Sequence, residues 1–385
     1  MTATLVGAVP RAAEALRGRS RRGSYQQLQV IAYLGLSLIF TLYVIGLCVR
    51  LGTVAVDFHH EFWPAAHLVV NGASPYGGSW QHINAGVAFP YPALTALAFV
   101  PLALIPHGAA DGVFTAVNIA AVLLTLRLLD VRDRRVYGLV LLWPIVVQAW
   151  QTANLTLVIG LGIAWLWRKR DNPIVAGAVV AVLISLKPFI WPLGLWLLAT
   201  RRYAAAAYAV GVGLVVNAVA WGVVGFDQLR RYEDVSRAVT KVMYERGYDI
   251  GALAMHLGAA HAAAYVIAFA VASAVAVGGI VAGRRGDSQA ALTLSIVLSL
   301  LATPVLWGHY FALLVIPIAL ARPRLSGVWF LPLLMWACPV VKPDLLQAIL
   351  GLGVSAAVVV TVLVRPRLRT RPSSLVTNTP MADTL

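Results

Sequence analysis

Apolar runs close to 20 residues long, separated by short basic clusters, constrain this chain more than any other feature. A helix of about 20 apolar residues crosses the ~30 Å hydrocarbon layer of a bilayer. It does so because its own hydrogen-bond ladder satisfies every backbone polar group where water is absent. Composition agrees: 60% of the 385 residues are hydrophobic and 12% are charged, with mean hydropathy +0.81. A soluble domain carries roughly twice that charged fraction. Disorder, coiled coil and an ordinary soluble domain are therefore excluded, and the ~10-residue alternating segments of an outer-membrane barrel are absent. The sequence predicts an all-α polytopic membrane protein.

The net charge of +15 suggests nucleic acid in a soluble protein. Here the basic residues stand between apolar runs, which the positive-inside rule explains. They form clusters at Arg17–Arg22, Arg132–Arg135, Arg168–Arg170, Arg201–Arg202, Arg284–Arg285, Arg322–Arg324 and Arg365–Arg371. Cytoplasmic placement of each cluster requires an even number of crossings between neighbours. The first apolar run, 28–49, is too long for a signal-peptide core and has no clear cleavage site after it. It reads as an uncleaved first helix. Further crossings are expected at 137–149, 155–167, 173–187, 189–200, 204–223, 263–283, 289–303, 309–321, 326–340 and 345–364. If 92–130 supplies one more, beside an interfacial or re-entrant piece, the total is about twelve and both termini are cytoplasmic. The expected organisation is a basic cytoplasmic N-terminus (1–27), one transmembrane catalytic domain (28–364), and a Pro/Ser/Thr-rich, disordered cytoplasmic tail (365–385). Two longer segments, 50–91 and 224–262, then lie outside.

Candidate chemistry collects on the outer side of this map. Asp57 follows the first helix by about a turn, where a carboxylate can act as general base on an approaching hydroxyl; Glu61 is the next acid in line. The same loop carries His59, His60, His67 and His82. Yet His60-Glu61-Phe62-Trp63-Pro64 has Pro64 where an HExxH zinc motif needs histidine. No metal site is expected; an interfacial helix anchored by Trp63 and Trp80 explains the segment better. Lys187, in an apolar run before Pro188, suits a phosphate as a point charge, or a helix end where its amine snorkels. Gln151 and Asn154 in one turn suit sugar hydroxyls or helix caps. Trp307-Gly308-His309-Tyr310 and Lys342-Pro343-Asp344 add possible cationic contacts. The two cysteines, Cys48 and Cys338, form no disulfide framework or metal motif, and no Walker A or nucleophile-elbow motif appears.

The order Asp57-Phe58, Asn71-Gly72-Ala73-Ser74-Pro75-Tyr76, Phe89-Pro90-Tyr91-Pro92, Pro101-Leu102-Ala103-Leu104-Ile105-Pro106, Gln151-x-x-Asn154, Lys187-Pro188 and Trp307-Gly308-His309-Tyr310 resembles the GT-C glycosyltransferases of family 87. That group includes actinobacterial α-(1→2)-mannosyltransferases that use polyprenyl-phosphate mannose to build phosphatidylinositol mannosides and lipomannan. It also includes an arabinofuranosyltransferase. The resemblance covers about residues 28–345. It departs at Trp150, where the family often has glycine, and at Asp249–Leu253, where an Asn-Ser-Leu-like stretch is expected.

The resemblance implies a GT-C fold in the plasma membrane and an extracytoplasmic site. It also implies a polyprenyl-phosphate sugar donor, a membrane glycolipid or lipoglycan acceptor, and no nucleic acid, cofactor or obligatory metal. It makes Asp57 the general base. Lys187 and His309 occupy positions that contact the donor phosphate. Glu61, Tyr91, Gln151, Asn154, Tyr310 and Lys342 are expected to line the donor and acceptor sites. Mannose transfer is the leading expectation. Arabinofuranosyl transfer from a decaprenyl donor and a lipid or solute transporter are the alternatives; a transporter would place its ionisable groups mid-membrane and show internal repeats.

Overall fold

The computed structural model describes residues 8–77, 80–85, 88–339 and 342–364, with side chains from Gln27 onward apart from 80, 81 and 85. The side chains of Arg17–Arg22, the Trp80 anchor and the 365–385 tail lie outside the described residues. Among those described, every regular element is a helix.

Among the described residues, five helices are long and apolar enough to cross a membrane: Gln27–Leu51, His107–Leu128, Tyr203–Val224, His261–Arg284 and Leu345–Leu363. A sixth is added if Pro144–Gln151 and Thr156–Lys169, bent by 111° at their break, form one span. The chain is thus a multi-pass helical membrane protein, with five or six full-length spans among the described residues where about twelve were expected. The apolar helices Pro173–Leu186, Pro188–Ala199, Ser288–Leu301, Gly308–Ala321 and Gly327–Ala337 are each 10–17 residues long, below the ~20 that span the hydrocarbon. Residues 92–130 hold one full-length helix, His107–Leu128, after two short pieces at Ala93–Ala98 and Val100–Ala103.

The helices break where the sequence supplies a cap or a proline. Asn172 and Asp287 accept from the backbone N–H groups of Val175 and Ala290, and Asp344 forms a capping box with Gln347. Pro188 confines Lys187 before it to an extended conformation, φ −148° and ψ 98°, which ends Pro173–Leu186 there. Close helix contact needs small residues. A Cβ at Gly177 would stand 2.5 Å from the Tyr208 Cβ and 2.6 Å from the Ala205 carbonyl oxygen. Pro173–Leu186 and Tyr203–Val224 can therefore approach backbone to backbone.

The basic linkers touch one another. Arg168 pairs with Asp130 at 2.6 Å, Arg202 with Asp171 at 2.9 Å and Arg135 with Asp133 at 2.8 Å. The Asp133 carboxylate also accepts from the Leu325 N–H, and Arg284 donates to the Tyr203 hydroxyl. The alternate turns meet as well: 55–58 with 151–154, 154 with 187, and 248–249 with 306. Successive helices therefore run between two ends, one basic and one carrying the candidate site.

Candidate active site

The first turn of the site is stitched to the break in the bent helix pair. The N–H groups of Ala55 and Asp57 donate to the carbonyls of Gln151 and Thr152 at 2.8 and 2.9 Å. Ala55 and Ala153 are fully buried and adopt φ of 54° and 51°. Left-handed backbone is uncommon for a residue with a Cβ, and surrounding structure must hold it there. A π-helix, Phe58–Phe62, follows at once. It places Phe58 and Phe62 against Phe99, with ring centroids 5.4 and 5.0 Å apart.

Asn154 links the two charges of the site. Its Nδ2 donates to the Asp57 carboxylate at 2.7 Å, and its Oδ1 accepts from Lys187 Nζ at 3.0 Å. Thr156 fixes the amide orientation by donating its hydroxyl to the same Oδ1 at 3.0 Å. Lys187, only 3% exposed, lies 4.3 Å from the Tyr310 ring centroid and 5.2 Å from that of Tyr91. Phe189 stacks on Tyr310 at 5.0 Å. The ammonium is thus held by one amide, two aromatic faces and the nearby carboxylates.

Burial pushes the Asp57 carboxyl above its ordinary range, against the Asn154 hydrogen bond and the Lys187 charge, which pull it down. Burial, and then the Asp57 charge, push Glu61 well above the usual carboxylate range; the Tyr91 hydroxyl is hydrogen-bonded to it. Oε2 of Glu61 is buried with no partner among the described residues. His309 is 3% exposed, and neither ring nitrogen has a partner among them. Such buried polar atoms are costly unless a ligand or water completes them.

Asp57, Glu61, Tyr91, Asn154, Lys187 and Tyr310 therefore come together through contacts with one another. His309 stands beside Tyr310, its ring centroid 4.8 Å away. Gln151 contributes its carbonyl to the stitched turn. Lys342 is exposed, and its backbone N–H donates to the Arg246 carbonyl; among the described residues no contact ties its side chain to the Asp57–Asn154–Lys187 chain. Trp63 is half-buried and stacks against His107 at 4.0 Å and His67 at 4.7 Å.

Two features escape sequence reading. One is the bridging role of Asn154, which depends on the 111° bend. The other is Asp249. It is buried, accepts from the Leu306 N–H at 3.0 Å, and fixes the 247–249 loop beside the Trp307–Tyr310 turn. Burial pushes its carboxyl up to about 7.

Two spaces lie nearby, and members of this cluster line the first. A cavity of about 150 Å³ is lined by Tyr91, Lys187, Phe189, Thr303, Trp307 and Tyr310. An open apolar groove of about 920 Å³ runs between Pro173–Leu186 and Tyr203–Val224 and includes Ser185, Asn217 and Trp221. Asn217 donates to Ser185 there at 2.7 Å, two residues before Lys187.

A multi-pass helical fold in which a half-buried carboxylate is linked through a buried amide to a buried lysine has the character of a membrane-embedded enzyme. The family model for glycosyltransferase family 87 matches residues 89–304, more than half of the chain. The chain belongs to that family and is a glycosyltransferase. No curated protein matches it, and no solved structure does. Tyr91, Gln151, Asn154 and Lys187 fall within the matched residues. Asp57, Glu61, His309, Tyr310 and Lys342 fall outside them.

Proposed function

We propose that this glycosyltransferase moves mannose from polyprenyl-phosphate mannose to a hydroxyl of a membrane glycolipid or lipoglycan, forming an α-(1→2) mannoside on the extracytoplasmic side of the plasma membrane. The observation that carries this reading is the Asn154 bridge. One amide holds a carboxylate and an ammonium on its two ends. Transfer from a phosphate leaving group to a hydroxyl needs a base and a cation in such proximity.

Asp57 takes the proton of the acceptor hydroxyl. That oxygen bonds to C1 of the β-linked donor sugar from the face opposite the phosphate, while the bond from C1 to the phosphate oxygen breaks. The electron pair leaves with polyprenyl phosphate, and inversion gives the α product. Lys187, with His309, offsets the charge that develops on the phosphate. Tyr91 and Tyr310 confine the site around Lys187, Glu61 shares the acceptor side with Asp57, and Gln151 shapes the turn. Lys342 is available to a phosphate approaching the rim. The apolar groove suits the donor's prenyl chain, because it is open, lined almost wholly by apolar residues, and reaches Ser185, two residues before Lys187 in the chain.

The test is sugar transfer in proteoliposomes, with labelled polyprenyl-phosphate mannose and an actinobacterial glycolipid extract. Wild type transfers label, and a folded Asp57→Asn variant does not. Full transfer by that variant removes Asp57 as base. Failure of the wild type with mannose but success with a decaprenyl-phosphate arabinofuranose donor replaces the sugar assignment.

A further inference from the structure

The π-helix that follows Asp57 carries a second polar cluster, one the transfer chemistry leaves unused. His59 Nδ1 lies 2.7 Å from one carboxylate oxygen of Asp111. His107 Nε2 lies 4.0 Å from the other and 3.0 Å from the His59 carbonyl oxygen. The two imidazoles stack 3.8 Å apart, and Trp63 stacks on His107 at 4.0 Å. One donor atom from each of His59, His107 and Asp111 lies within 4.8 Å of the others.

We propose that His59, His107 and Asp111 bind one divalent transition-metal ion, with zinc the best fit, and that the ion fastens the segment carrying Asp57 and Glu61 to the start of His107–Leu128. A simple His–Asp hydrogen bond accounts for only half of the arrangement. Asp111 is 7% exposed, yet its Oδ1 is buried without a hydrogen-bond partner among the described residues, His107 standing 4.0 Å away. An unsatisfied buried carboxylate oxygen calls for a cation or another donor. Two imidazoles and one carboxylate are a recurrent zinc donor set, with a fourth position left for water. Nitrogen donors favour zinc over magnesium or calcium.

Donor atoms around tetrahedral zinc stand about 3.3 Å apart, from bonds near 2.0–2.1 Å, and the three residues offer one atom each within 4.8 Å of the others. The two rings lie nearly parallel, 9° apart, so binding requires His107 to leave the His59 carbonyl and rotate until both lone pairs meet at one point. The ion would replace the proton between His59 and Asp111 and the proton that His107 Nε2 shares with the His59 carbonyl. Access is open: His59 borders one cleft with His60 and His107 and another with Gly108 and Asp111. Sequence spacing hides the set, because His107 and Asp111 follow His59 by 48 and 52 residues. The site is a positioning device and does not rest on the sugar assignment.

The test is metal binding by the full chain in detergent, tag removed, stripped by a chelator and titrated with cobalt(II) and then zinc(II). Wild type is expected to take up about one equivalent, with cobalt absorption typical of four-coordination, and to gain thermal stability on adding zinc. His107→Gln and Asp111→Asn are each expected to weaken binding about tenfold or more, on the scale of lost metal-site partners. His256→Gln, at an exposed position in another segment, should leave binding unchanged. His107→Cys keeps a ligand and should add a thiolate-to-cobalt charge-transfer band, which a merely structural histidine would not produce. No uptake by wild type, or uptake that His107→Gln and Asp111→Asn both leave intact, overturns the site.

Discussion

The two ends of the helical array use polar groups in opposite ways. At the basic end, arginines meet aspartates near the surface; both side chains of the Arg168–Asp130 pair are more than half exposed, at 54% and 58%. At the other end, Asp57, Lys187, Asp249 and His309 are wholly or largely withdrawn from solvent, and several of their atoms depend on a single partner. Water screens the exposed Arg168–Asp130 pair, so it contributes little energy, while Arg135–Asp133, at 25% and 14% exposed, is screened less. The second set sits in a low-dielectric environment, where each missing partner is costly and each charge acts strongly on its neighbours. One end keeps its charges paired near the surface, and the other withdraws them from it.

The comparison is broken most severely at Asp57. Asp57→Asn should lower the transfer rate by about two to four orders of magnitude, the range for a lost general base. Its cobalt binding should stay at the wild-type level. A variant that loses both has lost the fold of the π-helical segment, which circular dichroism and the thermal midpoint would register.

Asn154→Ala comes next. It removes the bridge between Asp57 and Lys187, and a hydrogen bond to a charged group contributes about 1.5–3 kcal/mol. Transfer should fall roughly 10- to 100-fold, seen mainly in kcat if the bridge acts on the reacting groups. An unchanged kcat with a raised KM would assign Asn154 to substrate binding alone.

Asp249 sharpens the contrast through pH. Its folded-state pKa, near 7, lies above the unfolded value, so folding takes up a proton between the two. This carboxyl's contribution to stability is complete below about pH 4 and is lost as pH rises toward and through about 7. Asp249→Asn keeps an oxygen for the Leu306 N–H and removes the titration. The thermal midpoint of wild type should therefore decline relative to the variant from about pH 5 to about pH 8. Parallel curves would show that the carboxyl does not titrate in that window.

The smallest effect belongs to the basic end. Arg168→Ala should change stability by no more than about 1 kcal/mol and leave transfer intact. A loss of activity there would link the two ends and undo the division between them.

Much of the fold was legible because membrane helices write themselves as apolar runs. The run 28–49 and the helix Gln27–Leu51 coincide closely, as do 204–223 with Tyr203–Val224 and 263–283 with His261–Arg284. The site was legible in its members more than in its wiring. Asp57, Asn154 and Lys187 were each visible as polar residues at the edges of apolar runs. That Asn154 would join the other two was not, since 97 residues separate it from Asp57 and 33 from Lys187. The stacking of Trp63 on His107 was hidden for a related reason, since the two residues come from segments distant in the chain.

By itself the sequence determined that the chain is helical and membrane-embedded, which linkers are basic, and which polar residues stand at run edges. These follow from local hydropathy, the cost of bare backbone in hydrocarbon, and the constraint a proline places on the residue before it. Tertiary structure alone decided the 111° bend at residues 152–155, the left-handed turns at Ala55 and Ala153, and the two polar clusters on either side of the π-helix. Those depend on contacts between segments distant in the chain. Periodicity carries no record of which buried polar atom will find which partner.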